Sequence, residues 1–143
     1  MALFKFTDAI LKDQPIDVYN HGKMERDFTY IDDLVEAIVR LIPKRPVEGE
    51  PVGTMDSLSP VAPFRVVNIG NGSPVSLLDF ISAIEAAVGK PAKRNYMEMQ
   101  PGDVPKTWAN ADLLGALTGF RPNHSVAEGV RAFVDWFSEY YSR

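Results

Sequence analysis

The sequence predicts an α/β fold in which helices dominate, strands are few and short, and the sheet is incomplete. Apolar residues recur at helical spacing in five stretches of the 143-residue chain. One compact apolar run, Arg65 to Ile69, has the length of a buried parallel strand and ends in Gly70-Asn71-Gly72. No second run of this kind with a crossover helix is found, although such strands normally lie inside a sheet covered on both faces. Part of the sheet is therefore expected to be missing.

The first helix is predicted from apolar residues at helical spacing that run up to Asp13-Gln14-Pro15: Leu3, Phe6, Ile10 and Leu11. A β-prone run from Ile16 to Tyr19 and a turn at Asn20 to Lys23 follow. Phe28 to Ile31 is predicted as a second short strand, so that the two strands form a hairpin-like excursion.

Asp32 and Asp33 are predicted to begin the second helix, where they cap and complement its positive end rather than act as paired catalytic carboxylates. Pro43 ends this helix. Its apolar side chains form a wide face that is expected to be buried: Leu34, Val35, Ile38, Val39, Leu41 and Ile42.

Residues 43 to 64 contain five prolines, two glycines and several serines, which predicts a flexible Pro-rich surface loop rather than a domain linker. The remaining elements follow from local signals. Ser76 is a predicted N-cap of the third helix, which Gly89-Lys90-Pro91 ends. A strand from Lys93 to Met97 and a helix from Asn110 to Leu117 come next, and a last helix begins at Ser125 with Glu128 completing a capping box.

The composition is that of one globular unit, which we expect to span residues 1–143. The chain is 45% hydrophobic and 24% charged, with a formal net charge of -4, which argues against nucleic acid as a partner. The absence of cysteine excludes disulfides and thiolate metal sites, and no histidine and carboxylate spacing resembles a metal site. Without a signal peptide or a long apolar run, we expect no membrane contact and a cytoplasmic location.

Two segments resemble substrate-half motifs of the extended short-chain dehydrogenase/reductase family: Met24 to Leu34 and Met99 to Pro105. Three shorter segments resemble the UDP-glucuronate 4-epimerase branch of its NAD-dependent epimerases and dehydratases: Tyr19 to Met24, Asn68 to Asn71 and Gln100 to Asp103. The resemblance covers nearly the whole chain. It implies the substrate-binding C-terminal portion of that fold, and because Met1 leads directly into the first helix, we expect the N-terminal dinucleotide-binding part to be absent.

The chemistry of this family needs a Gly-rich turn for the NAD pyrophosphate and a Tyr with a Lys four residues later on a helix. Gly70-Asn71-Gly72 lacks the third glycine and is interpreted as a strand-exit turn. Tyr19 and Lys23 match the Tyr/Lys spacing by letter, but they span a strand end and a turn. The resemblance therefore implies NAD in the full-length parent, no NAD bound by this chain, no catalytic residue and an inactive chain in isolation.

The resemblance assigns a UDP-sugar site to six residues. Arg26 is expected to bind a phosphate of the UDP group, because a guanidinium offers a charged planar fork of donors. The alternative is a surface arginine paired with Glu25 or Asp27. Asp17 and Tyr19 lie in a short edge segment whose backbone is expected to bind the uracil ring, with an ordinary edge strand as the alternative.

The other three residues come from the second motif. Gln100 stands where many relatives carry an arginine, which weakens a second phosphate contact at this position. Asp103 is expected either to contact the ribose or to hold the turn. Thr107 lies where the family lines the sugar pocket.

The leading hypothesis is a C-terminal fragment of a nucleotide-sugar epimerase that contributes UDP-sugar binding. The alternative is a noncatalytic nucleotide-binding or self-associating module. Because the predicted sheet is incomplete, the partner is expected to be a second copy of the chain or the missing N-terminal half.

Overall fold

A computed structural model describes residues 2–141, so that Met1, from which the absence of an N-terminal part was expected, lies outside the described residues. The helices are α1 (Ala2–Leu11), α2 (Ile31–Leu41), α3 (Leu77–Val88), α4 (Asp112–Thr118) and α5 (Val126–Tyr141). The strands are β1 (Pro15–Val18), β2 (Glu25–Arg26), β3 (Val75–Ser76), β4 (Lys93–Tyr96) and β5 (Lys106–Thr107), and a 3₁₀ turn spans Tyr19–Gly22. The residues fall into two compact units, each built from several stretches of chain.

The first unit contains α1, α3, α5 and all five strands, from residues 1–26, 74–107 and 125–143. Helix α3 packs against α1 and α5, and α1 also packs against β1. Strand β1 pairs with β4 in parallel, and β2 lies between β3, antiparallel to it, and β5, parallel to it. The core of this unit is apolar: Ile10, Ile16, Val18, Phe80, Ile81, Ile84, Val130, Val134 and Phe137.

The predicted helix caps are confirmed. The Ser76 hydroxyl accepts a hydrogen bond from the Asp79 backbone N–H at 3.0 Å. The Ser125 hydroxyl accepts from the N–H of Glu128, whose carboxylate accepts from the N–H of Ser125 at 2.8 Å. Both caps satisfy backbone donors that the first turn of a helix leaves unpaired, which is why three-residue spacings in the sequence locate these helix starts.

The predicted strand at Phe28 to Ile31 is wrong, and so is the hairpin. The strand is Glu25–Arg26, and Ile31 already begins α2. The partners of this strand come from distant parts of the chain, because Glu25 N–H donates to the Pro105 carbonyl and Leu77 N–H to the Met24 carbonyl, both at 2.8 Å. A two-residue strand is therefore defined by tertiary contacts rather than by the β-propensity of its residues.

The second unit contains α2 and α4, from residues 27–73 and 108–124. Its core is formed by Ala37, Ala111 and Leu114, against which half-buried apolar residues pack: Leu41, Val67, Ile69 and Phe120. The run Arg65 to Ile69 forms no strand, because none of the described residues supplies a backbone ladder to it. Its side chains nevertheless alternate, since Val67 and Ile69 face the core while Val66 is 56% exposed.

The expected burial of the wide apolar face of α2 is wrong for this chain. Only Asp33 and Ala37 are buried on this helix. The side chains that are 48–74% exposed form one stripe at helical spacing: Ile31, Val35, Ile38, Val39 and Ile42. An apolar helix face and an unpaired strand segment in the same unit agree with the expectation of an incomplete sheet.

An ion pair organises the Pro-rich loop. Arg65 donates from Nε and Nη2 to the two carboxylate oxygens of Asp56, each at 2.8 Å, and both side chains are almost fully buried. Asp56 also accepts the N–H groups of Val52 and Leu58. The hydrogen bonds from Arg65 hold the pKa of Asp56 below its ordinary value.

Gly22→Ala should destabilise the chain more than Gly89→Ala. Both glycines have left-handed backbone, with φ of +80° and +77°, so an alanine at either position costs about 1–2 kcal/mol. A Cβ at Gly22 would lie 2.6 Å from Leu78 Cδ2, whereas no atom lies within 4 Å of one at Gly89. We expect overpacking to lower the free energy of unfolding of Gly22→Ala by about a further 1–3 kcal/mol. Urea denaturation measures both variants, and equal losses would contradict the packing argument.

Candidate functional site

All six residues of the predicted UDP-sugar site lie in the first unit. Arg26 is on β2 and Thr107 on β5, where the two residues are register partners. Gln100 and Asp103 are in the turn that precedes β5, and Asp17 and Tyr19 are at the end of β1. The structure therefore brings four of the six residues together around β2, and the remaining two follow the edge of the other sheet.

Arg26 pairs with Asp103, a partner that the sequence did not indicate. Its Nη2 donates to Asp103 Oδ1 at 2.8 Å and its Nη1 to the Glu25 carbonyl at 2.9 Å. The Glu25 carboxylate instead pairs with Lys106. Because the Arg26 side chain remains 31% exposed and a guanidinium has five N–H groups, further donors are available to an anion.

Asp103 orients this guanidinium and holds its own turn. Its Oδ1 accepts both from Arg26 and from the Val104 backbone N–H, and its N–H donates to the Gln100 carbonyl. One carboxylate oxygen thus connects the turn to β2. The turn-holding alternative for Asp103 has this geometric support, while the side chains of Gln100 and Thr107 are exposed.

The backbone groups of Asp17 point to the outer edge of β1, away from β4. The Val18 carbonyl accepts from the Met97 N–H at 3.0 Å, so the polar backbone groups of Val18 face β4. In a parallel ladder the adjacent residue points its N–H and C=O to the opposite side, which places those of Asp17 on the outer edge. The Asp17 side chain is engaged with Asn95 Nδ2 at 2.9 Å. Recognition at this edge would therefore use the backbone rather than the carboxylate.

A groove of about 440 Å³ lies between this edge and α1. It is lined by Pro15, Ile16, Asp17 and Tyr19 from the β1 segment and by one stripe of α1: Ala2, Lys5, Phe6 and Ala9. Sequence reasoning missed the contribution of α1. The i, i+3, i+4, i+7 spacing of that stripe is the available signal, and it shares only Phe6 with the apolar residues that predict the helix.

Asp33 lies in the first turn of α2 but does not cap the helix. The N-cap position belongs to Tyr30, whose ring packs on His124 with centroids 4.9 Å apart. Asp33 accepts the N–H groups of Asn123 and His124 at 3.0 Å and lies 2.8 Å from His124 Nδ1. Burial raises the pKa of Asp33, but these hydrogen bonds outweigh it, so that the pKa is lowered.

The Gly70-Asn71-Gly72 turn lines a cavity of about 300 Å³, but one of its backbone donors is engaged within the chain. The Gly72 N–H donates to Asp27 Oδ2, which also accepts from the Ala109 N–H. A Cβ at Gly70 would lie 2.6 Å from the Ala109 Cβ, so this glycine is required by close packing against the chain itself. The Gly72 N–H is therefore engaged within the chain in this conformation. Within residues 2–141 no cluster of three metal-ligating side chains occurs, and no helix there is long and apolar enough to cross a bilayer.

Comparisons with known proteins agree with the motif resemblance. The model of the NAD dependent epimerase/dehydratase family matches residues 1–54. A probable UDP-glucuronate 4-epimerase of Rhizobium meliloti is 57% identical over 100% of this chain and 43% of its own length. UDP-glucuronate 4-epimerase 1 of Arabidopsis thaliana is 37% identical over 99% of the chain and 33% of its own length. The chain thus spans less than half the length of these curated relatives.

Solved structures show the same fold. The Bacillus cereus UDP-glucuronic acid 4-epimerase in complex with UDP-glucuronic acid and NAD superposes with a TM-score of 0.77 at 29% identity, covering 99% of this chain and 40% of that one. The Thermotoga maritima UDP-glucose 4-epimerase, at 21% identity and a TM-score of 0.78, supports the fold alone. The chain is similar to members of the NAD dependent epimerase/dehydratase family and has the fold of a C-terminal portion of their structures. Within that family it is similar to the UDP-glucuronate 4-epimerases.

Asp33 should make the stability of the chain depend on pH in acid. Its folded pKa lies below the ordinary value near 3.8, so its contribution is fully present above that value and is lost as the pH falls through the folded pKa. Asp33→Asn should remove about 1.5–3 kcal/mol at pH 7 and flatten the pH dependence below pH 4. Urea unfolding as a function of pH measures this. The exposed neighbour Asp32→Asn is the control, and an unchanged acid limb in Asp33→Asn would contradict the assignment.

Proposed function

We propose that this chain is the C-terminal, UDP-sugar-binding portion of a nucleotide-sugar epimerase of the UDP-glucuronate 4-epimerase type. The observation that carries the proposal is the part-exposed Arg26 guanidinium, held by Asp103, in the same unit as a free strand edge that faces a groove. The ligands of the Bacillus cereus relative, UDP-glucuronic acid and NAD, support the substrate class.

Each part of the nucleotide sugar has a proposed partner in this unit. The backbone N–H and C=O of Asp17 are complementary to the donor and acceptor edge of uracil, and Tyr19 lines the same groove. Arg26 binds phosphate, and it is the only cation among the six site residues. The Gln100 side chain is uncharged, so a second phosphate contact at that position would be a hydrogen bond from a neutral amide. Thr107, beside Arg26 in the sheet, faces the sugar.

We propose that NAD is bound by the part of the relatives that this chain does not span. In the Gly70–Gly72 turn, the Gly72 N–H donates to the Asp27 carboxylate and Gly70 packs against Ala109. Both contacts support this assignment. In this proposal the chain contributes substrate binding only. The isolated chain is expected to be inactive, and its location is proposed to be cytoplasmic.

Arg26→Ala should weaken UDP binding to the chain by about 1.5–3 kcal/mol, because a charge-assisted contact to phosphate is lost. Arg26→Lys should recover only part of the affinity, since a point charge replaces a planar fork. The loss should be the same for UDP and for UDP-glucuronate, because the contact is to phosphate and not to the hexose. Isothermal titration calorimetry measures each affinity.

The matched control is Arg121→Ala. This arginine is 64% exposed and paired with Asp112, outside the proposed site, so UDP affinity should not change. NAD titrated into the unsubstituted chain should give no binding heat. UDP affinity that is unchanged in Arg26→Ala, with the circular dichroism spectrum intact, would return Arg26 to a surface ion pair with Asp103.

A second candidate function, self-association without enzyme activity, is favoured by the exposed apolar stripe of α2. Burial of such a stripe stabilises an interface by roughly 25 cal/mol per Å² of apolar area, and monomeric proteins seldom leave large contiguous patches uncovered. The part of the relatives that this chain does not span would cover this stripe in a full-length protein, and a second copy would cover it in the isolated chain.

The unsubstituted chain should therefore self-associate at micromolar concentration, as sedimentation velocity would show. Ile38→Glu places a charge in the middle of the stripe and should shift the chain toward monomer. Met55→Glu substitutes a residue that is 86% exposed but lies in the Pro-rich loop, and it should leave association unchanged. A stable monomer across this concentration range would count against the proposal.

A further inference from the structure

Three consecutive residues after β1 have left-handed backbone: Asn20 at φ +49°, His21 at φ +49° and Gly22 at φ +80°. Glycine adopts this conformation without a steric penalty, and asparagine tolerates it. His21 carries a Cβ that collides with the following carbonyl oxygen in this region, so its backbone is strained. Among residues 2–141 the only other non-glycine residue of positive φ is Asp13, at +56°.

Both the backbone and the side chain of His21 make contacts that hold this residue in place. The His21 N–H donates to the Met97 carbonyl at 3.1 Å, and its Nε2 lies 3.0 Å from Glu98 Oε1. The turn is closed beneath it by reciprocal bonds, in which Lys23 N–H donates to the Asn20 carbonyl and Asn20 Nδ2 to the Lys23 carbonyl, each at 2.8 Å. Strain of this kind persists only where surrounding contacts determine the backbone.

The place of this turn in the unit connects the two halves of the proposed site. On one side the chain comes from the β1 edge at Asp17, and on the other it enters β2 at Arg26. The Met97–Glu98 segment that holds His21 leads in turn from β4 to Asp103, the partner of Arg26. His21 therefore lies where the base edge, the phosphate-binding residue and its orienting carboxylate are joined.

We propose that His21 is a positioning residue, whose strained conformation holds the base-binding edge at Asp17 and the phosphate-binding Arg26 at the separation that a nucleoside diphosphate requires. The inference rests on the proposed function. A glycine at this position would relieve the strain but leave the turn free to sample other conformations. The site would then become ordered only when the nucleotide binds. The free-energy cost of this ordering would lower the affinity.

The test compares His21→Gly with two further variants. His21→Asn keeps a Cβ and adopts left-handed backbone readily, so it should restore most of the affinity. Asp13→Gly places a glycine at the other non-glycine position of positive φ among residues 2–141, after α1 and outside the proposed site. The contact of His21 with Glu98 is between exposed side chains and contributes little to stability, so strain relief dominates the stability of His21→Gly.

We expect His21→Gly to raise the melting temperature by about 1–4 °C while lowering UDP affinity by about three- to tenfold. Asp13→Gly should raise the melting temperature and leave UDP affinity unchanged. A residue with a merely structural role would change stability without this opposite change in affinity. A melting temperature that does not rise in His21→Gly, or UDP affinity that is unchanged while it rises, would overturn the inference.

Amide hydrogen exchange of the chain without nucleotide separates this inference from the proposed function. Exchange at residues 17–26 and 97–103 should be faster in His21→Gly than in Asp13→Gly, and equal exchange in the two variants would overturn the positioning role. If the unsubstituted chain binds no UDP, the proposed function fails, and the exchange measurement still decides whether His21 holds the turn.

Discussion

The parallel pairing of β1 with β4 is the constraint on which the rest of the candidate site depends. Parallel strands need a long connection, and here the chain between Val18 and Lys93 includes two helices and the whole Pro-rich loop. The pairing uses the backbone groups of Val18 and leaves those of Asp17 on the outer edge. It also brings Met97 to the His21 turn, so that the chain leaving β4 reaches Arg26 through Asp103.

Carboxylates of the motif segments act mainly on the chain itself. The Asp27 carboxylate accepts hydrogen bonds from two backbone N–H groups. The Asp33 carboxylate accepts two more and also contacts an imidazole. The Asp103 carboxylate accepts from a backbone N–H and a guanidinium. Hydrogen bonds to an ionised carboxylate are stronger than those between neutral groups. Arg26 and Asp103 are each about one-third exposed, so their ion pair adds little to stability, and its consequence is the orientation of the guanidinium.

The second unit leaves many apolar side chains exposed, in a chain that spans 43% of the length of a relative. Val67 and Ile69 pack on a small core, while Val66 and the stripe of α2 face outward without an apolar partner in the described residues. The buried Arg65 and Asp56 pair organises the loop beside them by polar contacts. A core of this size supplies limited hydrophobic stabilisation.

The sequence alone determined the family resemblance, the five helices and both caps, because these depend on residues three or four positions apart. It also predicted Arg26, Asp103 and the β1 edge as parts of a candidate site. The tertiary structure decided what those residues contact: the pairing of Arg26 with Asp103, the groove against α1, the position of β2 and the contact of Asp33 with His124. These contacts join residues up to 91 positions apart, and neither propensity nor periodicity carries information about such partners.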